Sequence, residues 1–172
     1  MNIGHHVDFL LGVLIVIVIV ILSYGVFTRI IITNFFIGSF RFSHWLSIIG
    51  SIYIAVATPF FAVLKRQLNA NWQKLVRFHM FSNLIFFGLI ALHFSAQVGR
   101  PAANYPDLGT GVALFAAMSL QVVSGFIQRF TSQRPIYKQL IKPKTIKFMH
   151  ASFIAVFYVV IIFHVLHGLG II

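Results

Sequence analysis

The sequence predicts an all-α integral membrane protein, a five-helix transmembrane bundle, on three observations. Of its 172 residues, 59% are hydrophobic and only 9% are charged, against roughly a quarter charged in a soluble domain. The apolar residues fall into five runs of the length, about 20 residues, that a helix needs to cross a hydrocarbon core. Thirteen Lys and Arg stand against two acids, Asp8 and Asp107, and the basic residues sit between the runs. That is the charge pattern of membrane topology, and no nucleic-acid partner is expected from it.

The first run is Phe9 to Phe27, with Arg29 just beyond it. The preceding MNIGHHVD holds no Lys or Arg, and no small-residue cleavage site follows, so the run reads as a retained helix rather than a secretory signal. The second run is Trp45 to Leu64, closed by Lys65 and Arg66; the third runs from Phe78 to Val98, between Arg77 and Arg100. The fourth is Gly109 to Ile127, stopped by Gln128 and Arg129. The fifth extends from Phe148 to residue 172, preceded by Lys142, Lys144 and Lys147. With no internal repeat and no long polar segment, residues 1–172 read as a single transmembrane domain.

Loop charge sets the expected orientation in a cell membrane. The loops on the N-terminal side hold Lys65, Arg66, Lys74, Arg77, Arg129, Arg134, Lys138, Lys142, Lys144 and Lys147, while the opposite side holds only Arg29, Arg41 and Arg100. Positive charge stays in the cytoplasm. The N-terminus is therefore expected inside and the C-terminus outside, with the turn-rich GRPAANYPDL, residues 99–108, as a short external loop.

The chain has eight histidines and no cysteine. The missing thiol excludes disulfides, thiolate zinc sites, iron–sulfur clusters and covalently attached haem. His79 and His93 on the third span are fourteen residues apart, and so are His150 and His164 on the fifth. Fourteen residues make close to four helical turns, so each pair lies on nearly one face, about 21 Å apart along the axis. The third and fifth spans run in the same direction. His79 thus shares the depth of His150 near the cytoplasmic side, and His93 that of His164 near the outer side. Two bis-histidine sites stacked across a bilayer suit two non-covalent haem b groups, each iron taking one imidazole from each helix. A tetrahedral zinc site lacks the carboxylate or thiolate needed to complete it. The plain alternative for each histidine is an interfacial side chain reaching toward the headgroups.

Other residues have a place in this scheme. His44, in RFSHW, opens the second span on the outer side and rivals His93 as the second ligand of the outer haem. His5 and His6 are expected to be solvated, and His167 either to orient a propionate or to lie at the interface. Arg77 and Lys147 inside, and Arg41 and Arg100 outside, are placed to pair with haem propionates or to anchor the spans at the headgroups. Gly50, Gly88 and Gly125 either admit a flat macrocycle or, the reading favoured here, allow close helix packing.

The stretch ATPFFAVLKRQLNANWQKLVRFHMFSNLIFFGLIALHF resembles the transmembrane domain of ferric reductases and NADPH oxidases. In that family a proline near the inner end of the second helix and a basic loop precede a histidine-bearing third helix. Pro59, Lys65, Arg66, His79 and His93 fall on those positions. The fifth span, HASFIAVFYVVIIFHVLHG, resembles the family's other ligand helix, with His150 and His164 on its pair; the fourth, with VVSGFIQR, is similar in character. The family's flavin- and nicotinamide-binding domain and its sixth helix have no counterpart in these 172 residues, which implies that any NAD(P)H oxidation belongs to a partner. The stretch RFSHWLSIIGSIYIAVATPF also resembles the start of small bacterial di-haem b cytochromes, which include the cytochrome b subunits of hydrogenases and formate dehydrogenases. That resemblance implies His44, His79, His150 and His164 as ligands.

The expected function is transmembrane electron transfer, as the haem b subunit of a redox complex rather than a complete enzyme. The expected partners are other subunits of that complex and the lipid bilayer. A membrane anchor that oxidises quinol or reduces quinone is the alternative. A histidine-lined transporter for a cation or metal ion stands lower, because the spans carry neither the carboxylates nor the paired half-repeats expected of one.

Overall fold

The computed structural model describes residues 3–67, 72–101, 108–131, 142–168, 170 and 171. Asp107, Arg134, Lys138 and most of the expected external loop lie outside them. Among the described residues, five helices are long and apolar enough to cross a membrane. They are α1 (Ile3–Phe27), α2 (Phe42–Gln67), α3 (Trp72–Val98), α4 (Gly109–Phe126) and α5 (Pro143–Gly168). α4 continues into a π-helical turn, Ile127–Thr131. The helices run past the apolar spans at several ends, since a helix need not stop where the hydrocarbon does. α5 ends at Gly168 rather than continuing to residue 172, and Gly170 follows with φ +68°.

The chain divides into two units, Met1–Pro106 and Asp107–Ile172. In the first, α3 packs against both α1 and α2. α1 runs parallel to it, with Asp8 at Arg77, Ile19 at Gly88 and Phe27 at Gly99. α2 runs antiparallel, with Ser43 at His93, Gly50 at Ile90 and Phe61 at His79. Two of the three singled-out glycines serve this packing. A Cβ on Gly88 would fall 2.9 Å from Ile19 Cγ1, and one on Gly50 would fall 2.8 Å from the Phe86 carbonyl oxygen. Small residues let membrane helices approach in this way.

A short hairpin, β1 (Phe36–Ile37) and β2 (Phe40–Arg41), precedes α2. Its loop is Gly38-Ser39, with Gly38 at φ +60°, the glycine-first arrangement of a type II′ turn. The hairpin region braces the first turn of α2. Trp45 Nε1 donates to Ile37 O at 3.0 Å, Ser43 N donates to Thr33 O at 3.1 Å, and Phe42 stacks on Phe35. Arg29 closes the other side: from φ +63°, its Nε and Nη2 both donate to Gly99 O, at 3.0 and 2.9 Å.

In the second unit α4 and α5 pack antiparallel around Leu114, Ala117, Met118 and Phe157. Across both units the outer helix faces carry exposed Leu, Ile, Val and Phe, such as Val20, Phe60 and Phe163. Lipid tolerates that surface and water does not.

Candidate functional site

All four paired histidines are half-buried, and each has a polar partner within its own unit. In the second unit, α4 serves both histidines of α5. Ser124 Oγ donates to Gln121 O at 2.9 Å, so its oxygen accepts from His150 Nδ1–H at 3.0 Å. Gln121 O lies 3.1 Å from the same nitrogen and can only accept. Both contacts place the ring proton on Nδ1 and the lone pair on Nε2. The neighbouring Gly125 leaves the room: a Cβ there would be 3.3 Å from His150 Cε1.

The same device recurs fourteen residues earlier on α4. Thr110 Oγ1 lies 3.0 Å from His164 Nδ1, and a Cβ on Gly111 would be 3.5 Å from His164 Cε1. A hydroxyl followed by glycine, Thr110-Gly111 and Ser124-Gly125, therefore repeats on α4 at the spacing of the histidines it faces. Of the three singled-out glycines, only Gly125 meets a histidine.

In the first unit α2 serves the histidines of α3. His93 Nδ1–H donates to Ser43 O at 3.0 Å, which again leaves the lone pair on Nε2. His44 lies beside it, ring centres 5.1 Å apart. The sequence thus names two rivals for one ligand position, and the fold sets them together. His79 stacks on Phe61 with ring centres 4.0 Å apart. Asn83, one turn on, places Nδ2 2.8 Å from His79 Nδ1 and 3.3 Å from its Nε2. With the amide donating, the ring proton sits on Nε2. Turned over, Asn83 Oδ1, buried without a partner among the described residues, would take the proton at Nδ1.

A cavity of about 590 Å³ opens between α2 and α3, lined by Tyr53, Phe60, Phe61, Phe78 and Phe86 with the His79 ring among them. Tyr53 stacks on Phe86 at 3.7 Å.

The basic residues divide. Arg77 Nη2 pairs with Asp8 Oδ1 at 2.9 Å, and the Asp8 side chain is only 3% exposed. Lys147 is exposed, one turn before His150. Arg41 and Arg100 lie near enough to repel: burial first, and then the Arg41 charge, holds the Arg100 guanidinium below the usual arginine value. His6 is exposed, His5 half-buried, and His167 exposed one turn beyond His164.

Among the described residues no group of three or more His, Cys, Asp or Glu side chains forms a candidate metal-ion site. A haem asks less of the protein, since the porphyrin supplies four iron ligands and the chain only two. Ser43, Asn83, Thr110 and Ser124 escape a reading that looks for histidines alone. For Thr110 and Ser124 the fourteen-residue step between them was the signal; Ser43 and Asn83 carry none. No family model, curated protein or solved structure matches the chain.

Proposed function

We propose that this chain carries electrons across a membrane on two non-covalent haem b groups, with His79, His93, His150 and His164 as axial ligands. The observation that carries the reading is the state of the imidazoles. His93 and His150 are held with the proton on Nδ1, and His164 meets at Nδ1 a hydroxyl that can accept that proton. That is how proteins present Nε2 to a metal: the outer partner fixes the tautomer and strengthens the donor. Bound there, haem supplies a one-electron iron couple, and the chain tunes it through ligands, hydrogen bonds and burial.

Each residue then has a defined task. Ser43, Thr110 and Ser124 orient the rings, with Asn83 doing so once its amide is turned. Gly111 and Gly125 leave the space in which His164 and His150 sit. Arg41 and Arg100, which repel each other, would be stabilised by an anionic propionate, and Lys147 offers a further positive charge. Arg77 is already engaged with Asp8, so it anchors α1 to α3 before it meets a propionate. Pairing follows depth in the sequence: His79 with His150 on the cytoplasmic side, His93 with His164 on the outer side. Short loops leave electron donor and acceptor to other subunits of a redox complex.

Quinone chemistry is the second reading, favoured by the apolar cavity in which His79 and Tyr53 are the polar-bearing side chains of the first unit. The experiment for the leading reading is a reduced-minus-oxidised absorption spectrum of the detergent-purified chain. Sharp b-type bands are expected from the wild type and none from a variant with all four histidines replaced by Ala. A featureless wild-type spectrum after expression with excess haem contradicts the reading.

A further inference from the structure

The repeat on α4 has a chemical consequence of its own. Each of the Thr110 and Ser124 hydroxyls meets the Nδ1 side of its histidine, which leaves Nε2 as the nitrogen that would face an iron. An Nδ1–H that donates to an oxygen gains imidazolate character. Its Nε2 becomes a stronger donor and favours the oxidised metal.

The two niches are not equal. His150 Nδ1–H has two oxygens to share, Ser124 Oγ at 3.0 Å and Gln121 O at 3.1 Å, and the hydroxyl is itself oriented by its bond to Gln121 O. Among the described residues, His164 Nδ1 has the Thr110 hydroxyl alone, at 3.0 Å. A hydroxyl can donate as well as accept, so the Nδ1–H form of His164 depends on Thr110 accepting.

Resting on the haem reading above, we propose that Thr110 and Ser124 are positioning residues that hold His164 and His150 as Nδ1–H imidazoles and each lower the potential of one haem. Because Gln121 O remains as an acceptor, His150 tolerates the loss of its hydroxyl better than His164 does.

The test uses the full chain carrying Thr110→Val, Thr110→Ser or Ser124→Ala. Haem is counted per chain, and both midpoint potentials are followed by spectroelectrochemical titration. Thr110→Val should keep two haems and raise one potential only, while Thr110→Ser restores the wild-type value. Ser124→Ala should raise the other potential, by a smaller amount. Two haems with unmoved potentials in Thr110→Val overturn the inference, as does a Thr110→Ser shift equal to that of Thr110→Val, which would mark a steric effect.

A second readout works without haem. In ¹⁵N-histidine-labelled haem-free chain, the nitrogen shifts report tautomers directly. His164 should be Nδ1–H in the wild type and shift toward Nε2–H in Thr110→Val, with His150 unchanged. Nε2–H in the wild type overturns the inference even if haem binds. A wild type that binds no haem overturns the proposed function, and with it the claim on potentials, whereas the failures above leave that function standing.

Discussion

The rings of His44 and His93 lie with their centres 5.1 Å apart and their planes at 63°. His93 is tied through Nδ1 to a backbone carbonyl, that of Ser43, the residue just before His44. The hairpin braces this turn of α2, so the carbonyl is fixed and His93 is oriented by it. His93→Ala is therefore expected to abolish the low-spin signal of one of the two proposed haems in electron paramagnetic resonance. His44→Ala should leave both haems bound and shift at most one potential. The reverse pair of results assigns the ligand to His44.

His79 and His150 are expected to hold one haem jointly, since both lie near the basic ends of their helices. His79→Ala and His150→Ala should each lose the same haem, seen as the same missing component in a redox titration. Loss of different components from the two variants contradicts the pairing.

The five spans were legible because a bilayer demands a long apolar run for every crossing, and nothing else in the chain imitates one. The histidine spacing was equally plain, being a property of α3 and α5 alone. What the sequence withheld lies on the partner helices. Whether Ser43, Ser124 or Thr110 meets a ring depends on which face α2 or α4 turns, and a helix that is apolar on every side carries little sign of that. The hairpin was missed for a different reason: Gly38-Ser39 is a turn signal, but its strands are two residues each. Arg77 looked like a propionate partner because Asp8, which it meets, is remote in sequence.

That ion pair is unequal, with Arg77 52% and Asp8 3% exposed. Arg77→Met leaves a buried carboxylate without its arginine and should cost on the order of 2 kcal/mol, reduced from a fully buried pair because water screens the arginine side. Asp8→Asn should cost less, since the freed arginine can reach water. Thermal unfolding in one detergent compares them. A lower midpoint for Asp8→Asn than for Arg77→Met contradicts the account.

Gly125 offers a steric probe, because a Cβ there meets His150 Cε1 at 3.3 Å. Gly125→Val drives a branched side chain into the ring and should remove the haem held by His150, at an overpacking cost of about 1–3 kcal/mol. Gly4, with nothing within 4 Å, is the control, and Gly4→Val should keep both haems. Unaltered haem content in Gly125→Val places His150 outside the site.

Two haems per chain held by four histidines are a countable quantity, and haem stoichiometry decides it. Pyridine haemochrome analysis of the purified chain, set against protein measured by amino-acid analysis, should give two non-covalent haem b per chain, extractable with acid acetone. One haem per chain contradicts the doubled site, and none contradicts the account altogether.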